Sequence, residues 1–130
     1  MKTQTLDYLD QSTQLEAFLA WDDKKPEKKP AVLVAHDWTG RREFAENKAK
    51  EMADLGYVGF ALDMYGKGVF GADGDVEGNS ALMNPLASDR RALRKRILSA
   101  LDVVRSHEQV DPMRVGAMGY CFGGMCVLEL

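Results

Sequence analysis

Gly119-Tyr120-Cys121-Phe122-Gly123-Gly124 follows directly on the apolar run Val115-Gly116-Ala117-Met118. A reactive side chain set between glycines at the end of such a run is the pattern of a nucleophile elbow, the sharp strand-to-helix turn that lifts a nucleophile above a sheet. The turn is tight and its flanking chains approach closely, so the neighbours must be small, and Gly119 and Gly123 meet that need. A thiol at the start of a helix also lies where exposed amides and the helix dipole favour negative charge. The amide of Phe122, next after the cysteine, is placed to meet a developing oxyanion. Taken alone, the same residues also read as a buried cysteine in a glycine-rich turn.

Working outward, Ala31-Val32-Leu33-Val34-Ala35 is a short unbroken run of apolar, mostly branched residues, as expected of a central parallel strand covered on both faces. Between Arg41 and Leu55 the residues Phe44, Ala45, Ala49, Met52, Ala53 and Leu55 recur at spacings of three and four, which predicts a helix stopped at Gly56. Tyr57 to Met64 is apolar again up to Asp63, and strand, helix and strand together make a right-handed parallel crossover. Upstream, Thr3–Leu9 and Gln14–Trp21 alternate in character around the turn Asp10-Gln11-Ser12-Thr13 and predict an antiparallel hairpin. The charged stretch Asp22–Pro30 has no apolar face and reads as a solvated loop.

Tyr65 to Ser80 carries Gly66, Gly68, Gly71, Gly74 and Gly78 without apolar periodicity, so it reads as a loop on the strand-end side, where binding residues of open parallel sheets collect. Pro85 to His107 predicts one long helix with the stripe Ala92, Ile97, Leu98, Leu101 and Val104 and an N-cap at Ser88 or Asp89. Asp111 to Gly119 is a turn leading into a third parallel strand, which ends at the elbow.

Composition sets the class. With 130 residues, 45% apolar and 28% charged, the chain has room for one globular domain, residues 1–130. A net charge of -3, with basic residues dispersed among acidic ones, offers no footprint for nucleic acid or an anionic membrane. No window approaches the roughly 18 to 20 apolar residues of a membrane span, and the N-terminus lacks the apolar core of a signal peptide, so a cytoplasmic location is the default expectation. Cys121 and Cys126 fit neither a disulfide framework nor a zinc site and read as reduced thiols, and no metal or organic cofactor site is visible.

The order of these pieces, from Ala31–Gly40 through Gly59-Phe60-Ala61-Leu62-Asp63-Met64-Tyr65-Gly66 to Val115–Gly124, resembles the N-terminal half of the dienelactone hydrolase family, and the resemblance runs along nearly the whole chain. It implies the N-terminal part of an α/β-hydrolase fold: a mostly parallel sheet with an N-terminal antiparallel hairpin, in three layers. It implies hydrolysis of enol-lactone and related ester bonds by a Cys, His and Asp triad, a small-molecule substrate, and Cys121 as the nucleophile. It further implies that the loop Ala35-His36-Asp37-Trp38-Thr39-Gly40 supplies the second oxyanion amide from Trp38, beside that of Phe122. Asp37 stands where family members often carry Glu, a carboxylate that interacts with the resting thiol. Arg90 or Arg91 lies where an arginine holds the carboxylate of acidic substrates, with a helix-surface arginine as the alternative. Asp63 and Tyr65 close their strand as in the family, and a strand-end turn accounts for them equally.

Of the two histidines, His36 reads as structural or solvent-facing rather than as the base, and His107 as a helix C-terminal residue whose cationic form suits the dipole. The chain ends at Leu130, nine residues past Cys121, and the acid and histidine segments of the family have no counterpart in it. A truncated chain of this kind is expected to acylate without sustained turnover, and either to self-associate through the exposed edge of its last strand or to be one part of a longer polypeptide. Two other readings stand beside the hydrolase. A thiol-redox protein lacks the usual C-x-x-C pair. A non-catalytic truncated homologue would serve as a binding or interaction module, using the open edge and the glycine-rich loop.

Overall fold

The computed structural model describes all residues from Met1 to Leu130. Strands β1 (Lys2–Asp10) and β2 (Thr13–Trp21) form the expected hairpin, paired without a break from Lys2↔Trp21 to Asp10↔Thr13. Gln11 turns the corner in the left-handed region at φ 55°. Strand β3 (Lys29–Ala35), helix α1 (Glu43–Asp54) and strand β4 (Val58–Ala61) make the crossover, and Gly56 ends α1 at φ 98°. Helices α2 (Val76–Ala87) and α3 (Arg90–Ser106) follow, then strand β5 (Val110–Gly119) and the short helix α4 (Phe122–Val127).

The five strands lie in the order β1-β2-β4-β3-β5. The β3–β4 and β3–β5 ladders are parallel, while β2 meets both β1 and β4 antiparallel. Alternate residues sort the core into two faces. Phe18, Ala20, Val34 and Ala61 meet the alanine stripe Ala45, Ala49 and Ala53 of α1. Leu19, Leu33, Phe60 and Leu62 meet Leu93, Ile97, Ala100 and Val104 of α3, with Phe122 and Cys126 of α4. The result is three layers: one helix, the sheet, and the remaining helices. No helix is long and apolar enough to cross a membrane.

Three expectations need correction. The stretch expected to be one helix from Pro85 to His107 is two, because the chain turns at Ser88-Asp89 and the Asp89 carboxylate caps α3 by accepting from the Ala92 amide. The glycine-rich stretch is a loop only as far as Asp75, whose side chain caps α2 through the Gly78 amide at 3.0 Å. Helix α2 buries only Asn79 and Leu86, so it leaves no apolar period to read, and local capping sets its start. Finally, Lys29 is buried at the start of β3. Its ammonium donates to the carbonyls of Lys25 and Glu27 at 2.8 and 3.1 Å and to Gln109 Oε1 at 3.4 Å, which satisfies a buried charge and ties down the charged loop.

Strand β5 has β3 on one side and no strand on the other. Beside that free edge a shallow groove is lined by Leu33, Leu101, Val115, Ala117, Val127 and Leu130.

Candidate functional site

Cys121 stands between β5 and α4 with φ 53° and ψ -113°, a conformation that L-residues rarely hold. Such backbone costs on the order of 1–3 kcal/mol and persists only where the surroundings impose it. Here the imposition is visible. A Cβ on Gly123 would overlap the carbonyl oxygen of Ala35 and lie 2.7 Å from that of His36, and one on Gly119 would run into the backbone of Gly123. The first turn of α4 is thus pressed onto the end of β3, and Cys121 is left exposed above it. Its carbonyl accepts from the Gly124 and Met125 amides at 3.0 and 3.3 Å, and the Tyr120 carbonyl accepts from Gly123 at 2.9 Å. The Phe122 amide, in the turn itself, has no acceptor in the chain.

The loop after β3 faces the same turn. Asp37 Oδ1 accepts from the Thr39 amide at 2.9 Å and from its hydroxyl at 2.6 Å, and the Gly40 amide donates to the Asp37 carbonyl at 3.3 Å. The loop is therefore closed on itself by Asp37, and the Trp38 amide, like that of Phe122, has no acceptor in the chain. Tyr65 joins the two residues. Its hydroxyl donates to the Trp38 carbonyl at 2.8 Å, and its ring stacks on Phe122 with centroids 5.8 Å apart and planes 16° apart. Burial pushes the Tyr65 phenol well above its ordinary range, so it is a hydrogen donor at every physiological pH.

Both histidines are committed. His36 is fully buried, accepts from the Met64 amide at Nε2 (3.0 Å), and has Nδ1 2.6 Å from the Asp37 carbonyl oxygen. Since Nε2 accepts, the proton is on Nδ1, and the ring is a neutral donor to Asp37; burial holds it neutral by lowering its pKa. His107 accepts from the Gln109 amide at Nδ1 and donates from Nε2 to Gln4 Oε1 at 3.0 Å. Its pKa is lowered by burial too, so the cationic form expected from its place at the end of α3 is the disfavoured one. Its ring packs edge-on against Trp21 with centroids 5.4 Å apart.

The turn at Cys121 and the loop after β3 are thus brought together through Tyr65, His36 and Gly123, while the remaining candidates stand as follows. Arg90 is half exposed and bound to Glu129, with Nε and Nη2 both 2.6 Å from Oε1. Arg91 lines an open polar cleft with Lys95 and Arg96 beside the β1–β2 turn. Asp63 is buried and spends its carboxylate on the amides of Tyr65, Gly66 and Glu16 at 2.9 to 3.0 Å, the work of a strand-end turn. Cys126 is buried, and desolvation pushes its thiol up to about 12. No three His, Cys, Asp or Glu side chains converge as a metal site would need. Sequence reasoning missed Thr39, which occupies Asp37 Oδ1, and the Tyr65 bridge. Only the short spacing of Asp37 and Thr39, typical of a side chain capping its own loop, hinted at the first.

Known proteins are similar to this chain in sequence and fold. A protein of Aquifex aeolicus, named provisionally as a carboxymethylenebutenolidase, is 35% identical over 99 residues, covering 73% of this chain and 42% of its own. A solved structure named m3DLH superposes with a TM-score of 0.92 at 36% identity, covering 99% of this chain and 53% of that one. A dienelactone hydrolase-like promiscuous phosphotriesterase from metagenomic libraries does so with the same TM-score and coverage at 32% identity. The chain therefore spans about half the length of these relatives. The profile of the dienelactone hydrolase family matches residues 15–130, and the chain belongs to that family.

Proposed function

We propose that Cys121 is the nucleophile of an acyl-transfer site acting on ester or lactone bonds. Its thiolate attacks the carbonyl carbon, the amides of Trp38 and Phe122 receive the oxyanion, and collapse expels the alcohol oxygen, leaving a thioester on Cys121. For a lactone the expelled oxygen stays tethered to the acyl group. Water then cleaves the thioester to a carboxylate. The single observation that carries this reading is the pair of amides without acceptors, Trp38 and Phe122, linked through Tyr65, the second belonging to the residue that follows a cysteine held at φ 53°. Two further roles are assigned with it. Asp37 Oδ2, the oxygen that Thr39 leaves free, is the acceptor offered to the resting thiol. Arg90, once released from Glu129, is a partner for an acidic substrate. The name of the Aquifex relative makes an enol lactone the substrate class to try first.

Both histidines are engaged elsewhere, so this chain by itself is expected to acylate once and to lack the proton shuttle, which contributes roughly 10²- to 10⁴-fold. The test is p-nitrophenol release from p-nitrophenyl acetate, counted per mole of protein beside Cys121→Ala. About one equivalent, lost in the variant, is the expected result. Equal release from both proteins, or none from either, refutes the nucleophile.

A second reading is favoured by the free edge of β5: an interaction module that pairs there with another strand, a second copy of the chain included. That reading is indifferent to Cys121→Ala and sensitive to Val115→Lys, and a monomer in sedimentation at all concentrations counts against self-association.

A further inference from the structure

We propose that His36 is a positioning residue for the oxyanion site, holding the Trp38 amide in its catalytic orientation through the opposite end of the same peptide unit; the inference rests on the acyl-transfer reading above. The Asp37 carbonyl and the Trp38 amide belong to one planar trans peptide and point in opposite directions. Fixing the carbonyl therefore fixes the amide. His36 Nδ1–H donates to that carbonyl at 2.6 Å, against 3.3 Å for its second donor, the Gly40 amide.

The ring itself cannot turn. Its Nε2 accepts from the Met64 amide, three residues past the end of β4, and it packs against Tyr65 at 4.9 Å and Phe122 at 6.2 Å. Because Nε2 accepts a hydrogen bond from the main chain, the tautomer is settled, and the donor always faces Asp37. Donation into a peptide carbonyl also polarises its N–H, strengthening the bond that the amide can give to an oxyanion. Tyr65 holds the other side of Trp38, so residue 38 is gripped at both flanking peptides by side chains that also touch Phe122. A histidine beside the nucleophile thus acts through the backbone, without ever touching the thiol's proton.

Two substitutions separate its two bonds. In His36→Asn the side-chain amide overlays Nδ1 and keeps a donor toward Asp37 while losing the Met64 acceptor. In His36→Gln the amide reaches the Nε2 position and keeps the Met64 bond while losing the donor. Three quantities are read: acylation of Cys121 by p-nitrophenyl acetate, alkylation of Cys121 by iodoacetamide, which develops no oxyanion, and the ¹H–¹⁵N resonance of the Trp38 amide.

The expected result is that His36→Gln lowers acylation by roughly 10- to 100-fold, a fraction of the loss on removing an oxyanion donor outright. Alkylation stays unchanged, and His36→Asn recovers most of the rate. Acylation unaffected by His36→Gln, or lowered equally in both variants together with alkylation, overturns the proposal. If the unsubstituted chain shows no Cys121-dependent acylation, the acyl-transfer reading falls. The Trp38 resonance then decides alone: a shift in His36→Gln that is absent from His36→Asn supports positioning, and equal shifts refute it. Should either variant fail to fold, the imidazole nitrogens of the unsubstituted protein give the answer, since a proton found on Nε2 instead of Nδ1 removes the donor on which the inference stands.

Discussion

Adding one methyl group at Gly123 should cost far more than adding it at Gly124, although both lie in the same turn of α4. A Cβ at Gly123 meets two rigid backbone oxygens, 2.7 Å from that of His36 and nearer still to that of Ala35. Carbon contacts relax near 3.5 Å, so α4 must retreat from β3 by roughly 1 Å. Forced overpacking of this kind costs about 1–3 kcal/mol. The retreat also opens a gap around Phe122 and Cys126, both buried under α4, and a gap of that width forfeits about a quarter to a half of the dispersion energy on the side that loosens. Against this, alanine gains up to about 1 kcal/mol over glycine inside a helix.

The net expectation for Gly123→Ala is a loss of about 1–3 kcal/mol. At Gly124 the new methyl meets only the Gly119 carbonyl oxygen at 3.8 Å, an ordinary contact, so Gly124→Ala should gain about 0.5 kcal/mol from propensity. Urea unfolding measures both. Reaction of Cys126 with a thiol reagent separates global unfolding from local release of α4, because that thiol is covered in the native state. Equal stability of the two variants, or a Gly123→Ala protein as stable as the parent with Cys126 still protected, refutes the packing argument for the elbow.

Three further outcomes are expected. Cys121→Gly should be about 1 kcal/mol more stable than Cys121→Ala, since only the glycine relieves the positive φ at this position; urea midpoints that coincide would show that the turn carries no strain. Iodoacetamide should label Cys121 and spare Cys126, one exposed and the other buried with its thiol raised to about 12, and peptide mapping that finds Cys126 modified first contradicts the placement of α4. Stability should fall as pH drops below the ordinary histidine value of 6.5. Burial depresses the folded pKa of His36 despite the nearby Asp63 and Asp37 carboxylates, with Arg41 adding to the depression, so the unfolded chain takes up its proton first. The slope from this one group is at most about 1.4 kcal/mol per pH unit, present below 6.5 and absent above it. A urea midpoint that does not move between pH 7 and 5.5 rules this out.

How far the site could be read in advance depended on the range of the forces that build it. Cys121, Gly119 and Gly123 were legible because the requirement that selects them, a small residue on each side of a strained turn, acts within five positions of chain. The strands β3 and β4 and helix α1 were legible because burial on both faces, or on one, imprints a period on neighbouring residues, although of the expected stripe only Ala45, Ala49 and Ala53 are buried, and Phe44 and Leu55 are exposed. Helix α2 was not, because it buries two side chains and takes its start from the Asp75 cap rather than from a core. The fate of His107 was not legible either: its sequence position at a helix end argued for a cation, and only packing against Trp21 and bonds to Gln4 and Gln109 decided for the neutral ring.

The sequence by itself determined the hairpin, the parallel crossover and the glycine-flanked cysteine turn, since each follows from patterns local to a few turns of chain. The tertiary structure alone decided the order β1-β2-β4-β3-β5, and with it which residues meet above the sheet. His36, Trp38, Tyr65 and Phe122 span more than eighty positions of sequence, yet they share one cluster of hydrogen bonds and stacked rings. Such contacts leave no period in the chain, because each depends on where separate strands end in space.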